Sequence, residues 1–196
     1  MKSMKEVSSL NIRVAHELKG CSDEILNKVY QDKQFENTLL LSPPGCGKTT
    51  ILRDMIRNIS DGFQSNQGKT IALIDERGEI AASYKGVPQN EIGIRTDVMS
   101  YIPKWLGMKM MIRSMSPEIV ATDEIGEQRD YFAIFDAVKS GVKLILTMHG
   151  EDIEDVSTEL LNKNVFKNIV VLTKQHKLGE IKKIYQWKGT QYVLSS

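Results

Sequence analysis

Four short apolar stretches alternating with helical patterns, followed by a strand-rich tail, predict an α/β fold. The expected architecture is a parallel sheet flanked by helices, with a C-terminal β-hairpin extension. The four stretches are Thr38–Leu41, Lys69–Ile74, Glu118–Thr122 and Val142–Thr147. Each is mostly apolar and bounded by polar or turn residues, as strands buried on both faces are. Helices between them imply parallel neighbours joined by crossover connections.

The elements follow in chain order. Ser9–Val14 reads as a strand, and Ser22–Tyr30 as a helix with Ser22 as its N-cap. After Thr50, Ile51, Leu52, Met55, Ile56 and Ile59 recur at helical spacing, and Asp61-Gly62 ends that helix. Gly78, Gly86, Pro88 and Gly93 punctuate Glu76–Thr96 too often for a long regular element. That stretch is read as an excursion from the core, not a second domain. Pro103–Met115 is a helix with its proline near the start. Tyr131, Phe132, Ile134, Phe135 and Val138 mark another, closed by Gly141. Glu151–Asn162 reads as one further helix. In the tail, Asn168–Thr173, Ile181–Trp187 and Gln191–Leu194 are expected strands, with turns at Leu178-Gly179 and Lys188-Gly189, extending the sheet as a hairpin. The chain is thus divided into an N-terminal segment, 1–36, and a core domain, 37–196.

Composition removes several function classes. Over 196 residues, 26 Lys+Arg face 25 Asp+Glu, a net charge of +1. That balance argues against histone-like nucleic-acid binding and a polybasic membrane anchor. The 41% hydrophobic and 26% charged content excludes wholesale disorder. Cys21 and Cys46 are too few for a disulfide framework, so a reduced cytosolic setting is expected. No apolar run reaches the ~18 residues of a membrane span, and no apolar region follows Lys2 and Lys5 as in a secretory signal. A soluble cytoplasmic protein without direct membrane insertion is expected, any membrane role coming through partners.

The strongest motif is Ser42-Pro43-Pro44-Gly45-Cys46-Gly47-Lys48-Thr49-Thr50, between an apolar strand and a helix. That context is what a nucleotide-binding P-loop requires. Gly45 and Gly47 let backbone N–H groups converge on phosphate oxygens, and the helix N-terminus favours anions. Pro44, Gly45, Cys46, Gly47, Lys48, Thr49 and Thr50 are the expected nucleotide-binding residues. Lys48 is to reach the β- and γ-phosphates and Thr49 to bind Mg²⁺. The usual pattern is G-x-x-x-x-G-K-[ST], and Ser42 stands here at its first glycine.

Hydrolysis needs a carboxylate near the magnesium and a group that orients water. Asp123-Glu124 and Asp75-Glu76 both end apolar strands, at the edge of a parallel sheet where ligands bind. Asp123 is favoured for the metal shell and Glu124 for polarising water, Glu118–Thr122 being third among the strands. Asp75, Glu76 and Glu79 are accessory acids, either outer ligands or solvated loop charges. His149 ends the fourth strand, expected between the P-loop strand and the Asp123 strand, where a polar side chain can sense a γ-phosphate. His16 and His176 are read as surface residues, and Cys46 as a small filler. Arg77, Arg95 and Arg113 lie in or beside the loop-rich middle. Each alone suits a surface ion pair; in a ring, at least one is expected to act on a neighbour's nucleotide.

LLLSPPGCGKTT, ALIDERGEIAASYKGVPQNEIGIRTDV, MIRSMSPEIVATDEIG and LTMHG together resemble the stage III sporulation protein AA family, from about Ser9 to Gly150. That family is similar to the hexameric ATPases of type II and type IV secretion and of pilus machines. The resemblance implies a RecA-like P-loop NTPase core, an acidic box at Ile74–Ile80, a Walker B box carrying Glu124, and a histidine box at Thr147–His149. It implies ATP and Mg²⁺ as cofactors and Glu124, His149, Lys48 and Glu76 as catalytic groups. It also implies a cytosolic ATPase on the mother-cell side of a channel to the forespore, working as a hexamer with membrane proteins of that channel. Secretion ATPases usually carry glycine where Asp123 stands, and family members carry a further N-terminal region. ATP over GTP rests on this resemblance.

Two other readings compete. An AAA+ nucleic-acid motor needs a helical lid with an arginine after the core strands, whereas the 49 residues after Thr147 look strand-rich and contain none. No nucleic-acid partner is therefore expected. A non-hydrolysing nucleotide-binding scaffold is separated from a hydrolase by the consequence of changing Glu124.

Overall fold

Leu39, Leu40 and Leu41 are fully buried because β3 (Thr38–Ser42) lies inside an eight-stranded sheet with a parallel neighbour on each side. The structure is a computed structural model describing residues 8–9, 17–31, 34–176 and 179–195. The strand expected over Ser9–Val14, apart from Ser9, lies outside the described residues, as do His16 and Leu178.

Preceding the sheet are helix α1 (Asp23–Val29) and a two-residue ladder, β1 (Tyr30–Gln31) with β2 (Gln34–Phe35). Then come β3, α2 (Lys48–Asp61), β4 (Ile71–Asp75), β5 (Thr96–Ser100), α3 (Lys104–Met115), β6 (Ile119–Thr122), α4 (Gln128–Lys139) and β7 (Lys143–His149). A 3-10 turn (Ile153–Asp155), α5 (Thr158–Asn162), β8 (Asn168–Thr173), β9 (Glu180–Trp187) and β10 (Tyr192–Ser195) complete the described order. The strands lie in the order β10-β9-β8-β3-β7-β6-β4-β5. From β8 to β5 every pairing is parallel; β9 and β10 turn back antiparallel.

The period-2 alternation of strands splits the core into two layers. Leu40, Leu73, Ala121, Ile145 and Val170 face one side, against Ile51, Leu52, Met55 and Ile59 of α2 and Ile25 and Leu26 of α1. Leu39, Leu41, Ile74, Val120 and Leu146 face the other, against α3, α4 and α5. Gly107 lets α3 approach β4 closely, since a Cβ there would stand 2.8 Å from Ile74 Cγ2.

Several expectations change. β5 joins the sheet edge beside β4, so β6 follows three main-sheet strands in the chain and is not the third. Its sequence TDVMS is half polar because an edge strand is solvated on one side. β8, β9 and β10 do form the expected antiparallel tail, but β8 is not at the edge: on its other side it is a buried parallel partner of β3. The helix expected over Glu151–Asn162 is interrupted by extended backbone at Val156 and Ser157, leaving the 3-10 turn and α5. Asp152 holds that interruption by capping the turn through Ile153 N, accepting from Tyr185 Oη at 2.6 Å and pairing with Lys183. Ser22 begins α1 but does not cap it: its hydroxyl donates to Asp54 at 2.8 Å.

Candidate active site

Four loops converge where β3, β4, β6 and β7 end. The strand order puts β7 between β3 and β6, so the end of β7 looks at both the glycine-rich loop and the paired acids. The loop turns into α2 through Gly45 and Gly47, with φ of 76° and 90°, values only glycine adopts freely. Gly47 is the N-cap and supplies no side-chain cap, so the first amides of α2 face the loop's concavity.

Lys48 is 6% exposed, and its ammonium donates to Ser42 O at 2.8 Å and Pro43 O at 3.2 Å. It also meets His149 Nδ1 at 2.9 Å. Burial pulls the amine below the usual lysine range, while the nearby carboxylates of Asp123 and Glu124 oppose that pull. His149 Nε2 in turn lies 3.1 Å from Glu124 Oε1. Thr49 Oγ1 donates to Asp123 Oδ2 at 3.0 Å. Two bonded sets therefore run from the phosphate loop to the acids, Lys48–His149–Glu124 and Thr49–Asp123.

Glu124 sits in left-handed backbone, φ 49°, a strained place for a side chain with a Cβ. Thr147, fully buried in β7, holds it there. The Thr147 hydroxyl donates to Asp123 Oδ1 at 2.6 Å and accepts the Glu124 amide at 2.9 Å, and its carbonyl accepts the Ile125 amide at 2.9 Å. Sequence reasoning gave this hydroxyl no role. Its signal was the period of two: Thr147 and His149 lie on the same face of β7.

The acids after β4 divide. Asp75 is 1% exposed and accepts the amides of Ile80 and Ala81, at 3.2 and 2.9 Å; it shapes the loop, is not a solvated charge, and lines a cavity with Asp123 and Glu124. Glu76 pairs with Lys104 and lines a shared cavity with Arg77, Asp123 and Glu124. Glu79 gives its carbonyl to Arg53, a buried arginine of α2 that also donates to Ile80 O at 2.6 Å. Arg53 and Lys104 were not anticipated; both fasten the acidic loop to neighbouring helices.

Arg77 is paired within the chain, Nη1 lying 2.5 Å from Glu124 Oε2. Arg95 has a local role that its sequence did not reveal, donating to Ser60 O at 3.1 Å. Arg113 is exposed on α3, away from the acids. Cys46 is buried, its thiol 4.0 Å from Pro44 O. His176 is exposed and pairs with Glu180.

The Thr49 hydroxyl and Asp123 carboxylate are hard oxygens side by side, which fits Mg²⁺. That ion takes one or two protein oxygens and completes its shell with phosphate oxygens and water. Among the described residues no group of three or more His, Cys, Asp or Glu is arranged as an all-protein metal cage. No helix of the described residues is long and apolar enough to cross a membrane.

The chain matches the family "Sporulation stage III, protein AA" over residues 1–192. It is 37% identical over 194 residues to stage III sporulation protein AA of Bacillus subtilis (strain 168), covering 96% of this chain and 63% of that protein. The chain thus spans less than two thirds of that relative. The fold is similar to that of the VirB11 ATPase of the Brucella suis type IV secretion system, solved with sulphate: TM-score 0.58, 15% identity, 89% of this chain and 51% of that one. It is also similar to the pilus retraction motor PilT with bound ADP: TM-score 0.54, 15% identity, 95% of this chain and 53% of that one. These likenesses show the RecA-like fold of secretion ATPases.

Proposed function

The chain belongs to the sporulation stage III protein AA family, and from that premise we propose that it is a Mg-ATP-hydrolysing ATPase of the secretion type. Its work would be to energise assembly of, or transport through, the channel between mother cell and forespore. The supporting observation is the bonded set in which Lys48 reaches Glu124 through His149, Thr49 reaches Asp123, and Thr147 joins Asp123 to Glu124. Structural stabilisation alone does not require an ammonium, a histidine and a strained glutamate at one sheet edge.

In this reading the loop from Pro44 to Thr50 binds the phosphates and Lys48 turns from the loop carbonyls to their oxygens. Mg²⁺, held by Thr49 and Asp123, supplies charge neutralisation on the phosphate oxygens when bound. Glu124 orients and deprotonates water, and His149, touching both Lys48 and Glu124, reports the occupancy of the phosphate site to the water-activating acid. Glu76 keeps Lys104 beside the same acids. The working form is a homo-oligomer, a hexamer, in the mother-cell cytoplasm, held to the membrane by channel proteins. PilT was solved with ADP and VirB11 with an anion, which supports a nucleotide in this loop.

The test is phosphate release from Mg-ATP over a protein concentration series. We expect turnover that chelation of Mg²⁺ abolishes and that rises per subunit with concentration, as sites shared between subunits require. ATP binding with no phosphate release at any concentration would sink the hydrolase reading and leave a nucleotide-binding scaffold.

A positioning role for Thr147 gives a separate expectation. Thr147→Val removes the hydroxyl that holds Asp123 and the Glu124 amide, with little change in volume. We expect kcat to fall by about 10–100-fold, the usual effect of losing an outer-shell partner, with ATP affinity nearly unchanged. Thr147→Ser should restore most of the rate. Equal loss in the Val and Ser variants would show that packing, not the hydroxyl, matters there.

A further inference from the structure

Six lysines, Lys19, Lys69, Lys104, Lys143, Lys163 and Lys183, each meet a carboxylate. Three cations that meet none among the described residues line one groove. On the outer face of α3 and α4 a groove is lined by Lys109, Ile112, Arg113, Ala133, Asp136 and Lys139. Lys109, Arg113 and Lys139 are exposed, and among the described residues none of them has a carboxylate partner.

The helix dipole explains part of this, since Arg113 and Lys139 lie in the last turns of their helices. It does not explain Lys109, nor why the three converge. The same two helices also expose Phe132 at 55%, Met110 at 46%, Met115 at 41% and Val138 at 37%. Phe132, Asp136 and Lys139 are spaced i, i+4, i+7 and share one stripe of α4. At the end nearest the sheet's loop edge, Arg129 stacks on Trp105 at 5.6 Å and closes the groove. The result is a channel between two parallel helices with a cationic rim and adjacent apolar anchors.

We propose that this groove docks an acidic, amphipathic segment of a partner protein. Its carboxylates would lie on Lys109, Arg113 and Lys139, and an apolar side chain on Phe132. Charge complementarity selects that occupant. Asp136 lies among the cations, so the occupant must bring a hydrogen-bond donor to that point between its anionic groups; a peptide supplies one from a hydroxyl or amide, whereas an unbroken row of phosphates does not. A concave groove suits one inserted segment, whereas a bilayer demands a convex or flat basic face. The proposal does not depend on the nucleotide reading, because none of these residues touches the P-loop or the paired acids.

The probe is a fluorescein-labelled helical peptide with Glu on one face and Leu on the other, long enough to follow helices of roughly 18 Å at about 1.5 Å per residue. Fluorescence anisotropy is read against the full chain at low and high salt. We expect binding that weakens with salt and falls roughly tenfold or more in Lys109→Glu/Arg113→Glu. A smaller loss is expected in Lys139→Glu. Lys167→Glu/Lys188→Glu, at the far side of the sheet, should bind as wild type does. A twin peptide with Gln for Glu should bind much more weakly. Unchanged melting temperatures show that the variants are folded. No binding of the acidic peptide, equal binding by the groove variants, or equal binding of the Gln twin overturns the proposal. So does displacement of the peptide by anionic phospholipid vesicles or single-stranded DNA that themselves lose affinity in the groove variants.

Discussion

Glu124→Gln is expected to bind ATP as wild type does and to release phosphate about 10²–10⁴-fold more slowly, the range spanned by a general base in hydrolysis. The amide keeps the shape of the carboxylate but accepts no proton. It also loses its charge-assisted bond to Arg77, now 2.5 Å away, and changes what His149 meets at 3.1 Å. Among the described residues Glu124 itself makes no bond to the phosphate loop and meets Lys48 only through His149, so ATP affinity should survive. Lys48→Ala supplies the contrast: it removes the ammonium that faces the phosphates, and ATP affinity itself should fall. The two variants thus separate chemistry from binding, read by single-turnover phosphate release beside equilibrium titration with labelled ATP. If Glu124→Gln turns over within about threefold of wild type, another group activates water. Glu76 is then the first to replace, since it lines the same cavity.

The phosphate loop was legible because its signal is local. Two glycines, a lysine and a threonine fall within a few residues between an apolar run and a helical stripe, and the chain needs no distant partner to form that turn. The same holds for α2, α3 and α4, whose apolar periods and terminal residues lie within single windows. β5 was not legible, because an edge strand needs only one apolar face and its remaining preference is supplied by the β4 backbone beside it. The place of β8 was equally hidden. Its apolar run announces a strand, but only the fold decides that it pairs with β3 and not with β9 alone.

Within the site, the residues that carry charge could be named from their positions at strand ends, whereas the residues that hold them could not. Asp75 resembles Asp123 in sequence, each ending an apolar strand before a glutamate, yet it spends both oxygens on the amides of Ile80 and Ala81. That distinction depends on how the following loop folds back, which pattern does not encode. Thr147 and Arg53 act through bonds to residues 24 and 27 positions away in the chain, and no short motif spans such distances.

The largest expected loss of stability comes from Asp54→Ala. Asp54 is 4% exposed on α2, one helical turn beyond the phosphate loop's threonines. Its oxygens accept from Ser22 N at 2.9 Å, Ser22 Oγ at 2.8 Å, Gly20 N at 3.2 Å and Arg57 at 2.6 Å. Those bonds tie the residues before α1 to the helix that carries the P-loop. Removing the carboxylate strands the buried amide and hydroxyl of Ser22, the amide of Gly20 and a guanidinium, a change that costs about 3–5 kcal/mol when one partner of a buried charged set is lost. For a chain of 196 residues, each kcal/mol shifts Tm by about 2–4 °C, so a fall of at least ~6 °C is expected at neutral pH. Burial alone would raise the Asp54 pKa, but the bonds from Arg57, Ser22 and Gly20 outweigh it and hold the carboxyl below the usual carboxylate range. A folded pKa below the unfolded one means the contribution is complete above the unfolded value and is lost as pH falls through the folded value. The gap between wild type and Asp54→Ala, measured by urea melts, should therefore be constant near neutrality and narrow on acidification below the ordinary carboxylate range. Asp54→Asn keeps one acceptor and carries no titratable charge, so it should lose less stability and its own melts should lack that acid-dependent component. A Tm fall under about 2 °C for Asp54→Ala would mean that water replaces the carboxylate, and that the N-terminal residues are not fastened to the P-loop helix through this contact.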